Sequence, residues 1–154
     1  MPIASSIIDY LNKSRASYSV IAHAHSATSK QTVSKAQIAP EKLAKAVILK
    51  DGKGYVMVVL PADKYVNLES VSRRLGRTMV IAPESGFPQI FKDCEPGAIP
   101  PIGPAYGMET LLDDSLVGRS DIYFEAGDHE ELIHMNGENF LLLLKRARHG
   151  SYCE

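Results

Sequence analysis

Lys45-Ala-Val-Ile-Leu-Lys50, Asp51-Gly-Lys-Gly54 and Tyr55-Val-Met-Val-Val-Leu60 follow one another without a break, and this stretch decides the fold. Two apolar runs of strand length flank an Asp-Gly turn. That is the signature of a β-hairpin with buried strands. Pro61 closes the second strand, because it cannot donate to a ladder. Downstream, Asn67 is placed to cap a helix in which Leu68, Val71 and Leu75 form an apolar stripe, and Gly76 stops it. Upstream, a helix is predicted over Ser6–Lys13, with Ser6 as cap and Ile7, Ile8 and Leu11 on one face. A short strand follows over Tyr18–His23, then a polar helix over Ser29–Ala36 ended by Pro40, then one more turn over Lys42–Lys45.

Beyond the hairpin, a short strand is expected at Met79–Ile81 and a loose helical segment from Pro83 to Phe91. Further strands are expected at Ala105–Met108, Asp121–Glu125 and Leu132–Met135, with a turn over Gly127–Glu131. Asn136 caps a last helix that packs Phe140, Leu141 and Leu144 and carries Lys145, Arg146 and Arg148 at its C-terminal end. Strands and helices mix without a regular βαβ rhythm. The expected class is therefore α/β (α+β): a mixed, curved sheet surrounded by helices, in one compact domain over residues 1–154.

The composition fits that size. With 154 residues, 45% hydrophobic and 23% charged, the chain can bury a core without staples. The net charge of −1 announces no broad nucleic-acid surface, so any RNA contact rests on a local patch. Arg73, Arg74 and Arg77 with Lys64 offer such a patch, or simply a solvated helix face. The two cysteines, Cys94 and Cys153, do not read as a disulfide framework, and a reduced, cytoplasmic protein is expected. The start Met-Pro-Ile-Ala-Ser-Ser lacks signal-peptide character, and no apolar run reaches the ~20 residues of a membrane span.

Cys94-Glu-Pro-Gly-Ala-Ile-Pro-Pro-Ile-Gly103 packs two glycines and three prolines into ten residues. It reads as a stiff loop with exposed amides, a surface turn unless other polar residues converge on it. Lys45, opening the hairpin, is either a solvated lysine or an ammonium facing a cleft, where it would bind phosphate or developing negative charge. His129, on the turn Gly127-Asp-His, is either a surface histidine or an acid/base group. Asp128 would orient it or serve the turn. His23-Ala-His25 invites a metal reading with His129 as third ligand, but no cysteine partner is near and a polar strand end is the commoner case. No metal and no cofactor is expected. The chain lacks a Gly-x-Ser-x-Gly elbow, a phosphate-binding Gly-rich loop with Lys-Ser/Thr, His-Glu-x-x-His and Cys-x-x-Cys. That removes support for serine hydrolase, nucleotide hydrolase and zinc enzyme readings.

Lys45, Leu60-Pro-Ala-Asp63, Leu68–Gly76 and Gly97-Ala-Ile-Pro-Pro101 followed by Gly103 fall in one order. This resembles the YbaK / prolyl-tRNA synthetase-associated domain family, over nearly the whole chain. The resemblance implies hydrolysis of the ester joining a wrong small amino acid to tRNA, often tRNA for proline. It implies that Lys45 contacts the terminal adenosine or its phosphate, and that Gly97 and Pro101 belong to a Gly-x-x-x-Pro loop whose amides lie near the ester carbonyl. His129 falls near a position where some relatives carry a polar residue or a histidine. Ala46 stands where alanine-clearing relatives tend to carry asparagine. The expected pocket is lined by Ala46, Ile48, Met57, Val59 and Ile99, with Gly103 and Asp128 beside the substrate. The implied partners are the tRNA 3′ end and either prolyl-tRNA synthetase or an elongation factor, with no membrane. A non-catalytic module that holds a tRNA end or a synthetase is the alternative.

Overall fold

Eight strands form one sheet in the computed structural model, which describes residues 3–26 and 28–154. Met1 and Pro2, on which part of the leader reading falls, lie outside the described residues. In chain order the strands are β1 (Ser19–Ala22), β2 (Leu43–Asp51), β3 (Gly54–Pro61), β4 (Val80–Ile81), β5 (Glu109–Asp113), β6 (Asp121–Glu125), β7 (Glu131–Asn136) and β8 (Arg148–Gly150). Helices α1 (Ser5–Ser14), α2 (Ser29–Ala36), α3 (Leu68–Leu75), α4 (Phe87–Ile90) and α5 (Gly137–Leu143) surround them. The order across the sheet is β1-β7-β6-β2-β3-β5-β8, with β4 also on β2. β2 and β3 pair antiparallel, with Lys45 opposite Leu60, whereas β2–β6, β3–β5 and β5–β8 are parallel. The mixed sheet expected from the sequence is present.

The hairpin forms for the predicted reason. Asp51 Oδ1 accepts from the Lys53 and Gly54 amides at 2.9 and 3.2 Å, and Gly54 takes φ 144°. Arg77 clamps the turn, its Nε and Nη2 donating to the two Asp51 oxygens at 2.7 and 2.6 Å. That bidentate pair holds the Asp51 carboxyl well below the usual carboxylate range. Of the predicted basic cluster, Arg77 is thus committed to a structural pair, and Arg73 pairs with Glu69 at 3.0 Å.

Both sheet faces are covered at the centre. On one face Ile48, Met57, Val59, Leu112, Phe124 and Ile133 pack with Ile7, Leu11 and Phe140. On the other, Leu49, Val56, Val58, Leu60 and Leu111 pack with Val71, Met79 and Tyr152. The period of two along each strand sends alternate residues to opposite cores.

Several local expectations are corrected. Ser6 does not cap α1: Ala4 occupies the cap, and Asp93 Oδ2 from a distant loop takes the Ser6 amide at 2.8 Å. The turn expected over Lys42–Lys45 lies at Pro40–Lys42, and Lys45 is inside β2. Ala105–Met108 is not a strand. Pro104 pre-sets the first turn of a 3-10 helix over Gly103–Tyr106, and Gly107 at φ 64° ends it. The last helix stops at Leu143, so Arg148 belongs to β8 and not to a helix end. Nothing in the sequence reading anticipates β5 or β8. The Asn67 and Asn136 caps form as predicted, accepting from Ser70 and Asn139 amides at 3.0 and 2.8 Å.

Candidate active site

The site begins at a split in the sheet. β2 meets β6 only at Leu43 and Ala44, and meets β4 only at Leu49 and Lys50. Both partners lie on the edge of β2 away from β3, so the residues between them face an opening. The Ile48 carbonyl accepts from the Ala82 amide on this edge at 2.9 Å. Peptide groups two residues apart point the same way, so the Ala46 N–H and C=O project into the opening. A cavity of about 110 Å³ fills it, lined by residues that include Lys45, Ala46, Gly97, Ile99 and Glu125. A second lobe of about 230 Å³ adjoins it across Phe87, Gly97 and Ile99 and is walled by Phe91, Cys94 and Pro96.

The far wall is the Gly/Pro loop. Glu95, Pro96, Gly97 and Ala98 make a turn closed by Ala98 N–H to Glu95 O at 3.1 Å, with proline second and Gly97 third at φ 81°. This is the pattern of a type II turn, in which a residue other than glycine at the third place is strained. The Pro96 carbonyl is gripped by His129 Nε2. A carbonyl only accepts, so His129 carries its proton on Nε2. The peptide is planar and trans, so fixing the Pro96 C=O aims the Gly97 N–H the opposite way, away from His129. Among the described residues that N–H has no backbone partner.

His129 is therefore a support behind the loop. It is only 4% exposed and takes φ 60°, and its Nδ1 is buried without a partner among the described residues. Its ring meets His25 edge-on, with centroids 5.5 Å apart. Asp128 serves the turn: its buried Oδ1 accepts from the Glu130 and Glu131 amides at 3.0 and 2.9 Å.

Lys45 lines the cavity, but its ammonium is held by groups that do not. Nζ donates to the Ala62 carbonyl at 3.3 Å and lies 5.3 Å from the centre of the Tyr65 ring. Burial lowers its pKa, against the opposing pull of Asp63 and Cys153. Tyr65 is 78% exposed, so cation and aromatic face are presented together.

The expected site residues thus separate. Lys45, Ala46, Gly97 and Ile99 meet at one cavity. Ile48, Met57 and Val59 are core residues. Pro101 is buried at the end of the loop, and Gly103 is buried against Thr110. His129 and Asp128 lie behind the wall.

Glu125, at the end of β6, is a site residue that the sequence reading misses. It is 6% exposed, lines the cavity, and accepts from Thr32 Oγ1 at 2.6 Å, while Thr32 meets Ser26 Oγ at 2.6 Å. His23 Nε2 stands 3.8 Å from its Oε1. Burial raises the Glu125 pKa, against the lowering effect of Thr32 and the two histidines. No sequence signal separates this glutamate from any other strand end. Cys94 is similarly quiet. Burial pushes its thiol up to about 12, the Tyr106 hydroxyl 3.2 Å away works against that, and Asp93 beside it adds to the rise.

A profile of the aminoacyl-tRNA editing domain matches residues 23–143. No curated protein gives a significant match. Among solved structures, a candidate trans-editing enzyme for prolyl tRNA synthetase aligns with TM-score 0.83 at 18% identity, over 100% of this chain and 98% of that one. A hypothetical protein aligns with TM-score 0.86 at 17% identity, over 97% of this chain and 100% of that one. A candidate signal transduction protein from Marinobacter aquaeolei gives 0.80 at 17% identity, over 99% of this chain and 31% of the longer one. At these identities the structures attest a shared fold. The profile spans every residue that lines the cavity, and on that match the chain belongs to the aminoacyl-tRNA editing domain family.

Proposed function

We propose that this protein is a deacylase acting in trans, hydrolysing the ester of a tRNA that carries a wrong, small amino acid, with tRNA for proline as the expected substrate. The observation that carries the reading is the Pro96–Gly97 peptide, pinned from behind by His129, with its N–H lacking a backbone partner among the described residues, at the wall of a cavity shared with Lys45. In this reading water adds to the ester carbonyl. The oxyanion is met by the Gly97 N–H as the tetrahedral intermediate forms. The intermediate then collapses, expelling the ribose oxygen, which takes up a proton, and the neighbouring ribose hydroxyl relays protons between water and leaving group. No nucleophilic side chain is required. One such preorganised donor is worth about 10²–10³ in rate. Lys45 and Tyr65 supply a cation and a stacking face, the pair of contacts that receives a terminal phosphate and base. The lobe of about 110 Å³ favours a small side chain.

The whole chain, residues 1–154, is read as one editing unit working in the cytoplasm with prolyl-tRNA synthetase, where mischarged tRNA arises. The test is deacylation of tRNAs charged with alanine, serine, cysteine, threonine or 2-aminobutyrate. Rapid loss of one of them that Lys45→Ala abolishes is expected. Binding of every charged tRNA without turnover of any would replace the hydrolase by a non-catalytic module that holds tRNA ends.

A further inference from the structure

We propose that Glu125 receives the free α-ammonium of the esterified amino acid, with the Ala46 carbonyl on the open edge of β2 as second acceptor. This rests on the aminoacyl-tRNA reading above and adds a recognition element to it: the site distinguishes an aminoacyl-tRNA from one whose amine is blocked by acylation.

Glu125 has one oxygen satisfied and one not. Oε1 holds the Thr32 hydroxyl, whereas Oε2 is buried without a partner among the described residues. A buried carboxyl oxygen left unpaired costs stability, and it is answered by protonation, by water or by a bound donor. Among the described residues no lysine or arginine pairs with Glu125; the basic group beside it is His23, which makes an ion pair with Oε1 only when protonated. Lys45 directs its ammonium to Ala62 and Tyr65. His23 donates from Nδ1 to the Ala24 carbonyl at 2.7 Å, and its Nε2, 3.8 Å from Glu125 Oε1, is also unpartnered. His23 and His129 act on the carboxyl electrostatically to lower its pKa, and Asp128 acts to raise it. The Thr32–Ser26 hydroxyl chain fixes the carboxylate's orientation.

Glu125 and Ala46 line the same cavity, so a carboxyl oxygen and a strand edge, both without a partner among the described residues, stand at one wall. An ammonium brings three donors and a positive charge and answers both acceptors. A secondary amide has one N–H and no charge. Its acyl substituent would also have to share a lobe of about 110 Å³.

The experiment compares two non-hydrolysable adenosines by calorimetry, 3′-deoxy-3′-(L-alanylamino)adenosine and its N-acetyl derivative, with wild type and Glu125→Gln. Deacylation of alanyl-, seryl- and cysteinyl-tRNA, free and N-acetylated, is measured in parallel. Acetylation is expected to weaken binding to wild type about tenfold or more, the scale of a hydrogen bond to a charged group. Glu125→Gln is expected to lose most of that preference, keeping only the part owed to the Ala46 carbonyl and to the bulk of the acetyl group, with its thermal transition intact. Equal binding of the two compounds by wild type overturns the proposal without reference to any variant. So does a preference that Glu125→Gln leaves undiminished. Retained preference for the free amine with no ester hydrolysis sinks the deacylase reading and leaves this one standing. Hydrolysis of free and acetylated esters with equal KM does the reverse.

Discussion

Replacing His129 with alanine tests the link between the buried histidine and the loop amide. The variant loses the donor to the Pro96 carbonyl. Such a hydrogen bond has a net worth of about 0.5–1.5 kcal/mol. Pro96 is exposed, so water can reach its freed carbonyl and no full desolvation penalty follows. The left-handed backbone at position 129 is unfavourable for both residues and largely cancels. With the packing of a nearly buried ring added, the loss of stability should be about 2 kcal/mol. The effect on rate should be larger. An unpinned Pro96–Gly97 peptide can rotate, and losing one oriented oxyanion donor costs about 10²–10³ in rate. Single-turnover deacylation should fall about 100-fold with KM nearly unchanged. His129→Gln should recover most of it, because the glutamine amide donates at similar reach. The assay pairs urea unfolding with single-turnover kinetics on both variants. If the folded glutamine variant is as slow as alanine, the imidazole itself acts in the reaction and the anchoring argument is wrong. If alanine keeps the wild-type rate, His129 does not hold the loop.

Gly103→Ala should destabilise by about 1–3 kcal/mol, the usual cost of overpacking. Its Cβ would stand 1.9 Å from Thr110 Oγ1 and 3.0 Å from the Met108 carbonyl. Adding Thr110→Ala should return part of that loss on the same denaturation curves, and a neutral single variant would refute the packing account. Glu125 titrates higher in the fold than in the unfolded chain. Its contribution to stability is therefore present below the ordinary carboxylate pKa and fades as pH rises through the folded value. The melting temperature of Glu125→Gln should gain on wild type as pH rises from the ordinary carboxylate pKa towards neutrality, and a constant gap would contradict this. Cys94, its thiol pushed up to about 12, should react with iodoacetamide near neutral pH at least ~10-fold more slowly than free cysteine, followed by mass spectrometry of the intact chain.

The readable parts of the sequence were those in which local chemistry and tertiary environment agree. The hairpin is visible because the Asp-Gly turn and the two apolar runs state the same thing, and the asparagine caps act within three residues. Ala105–Met108 misleads because a short apolar run carries no period, and the proline before it decides the outcome. β8 has no apolar alternation at all and exists through pairing with β5. At the site, Lys45 and Gly97 stand out as residue types. The tie between His129 and Pro96 joins groups far apart in sequence, and Glu125 becomes distinctive only when α2 closes over it through Thr32.

The gap in the sheet between β6 and β4 has a consequence for how this protein can be probed. Two of the groups assigned to the site, the Ala46 carbonyl and the Gly97 N–H, belong to the main chain. Substituting the side chain at position 46 changes the width of the cavity and leaves the carbonyl in place. A substitution at Gly97 strains the turn and alters shape and chemistry together. Alanine scanning therefore underreports this surface. Backbone chemistry does not: a semisynthetic protein with an ester in place of the Pro96–Gly97 amide deletes one N–H and no side-chain atom. The loss of rate in that molecule measures the contribution of the loop donor directly.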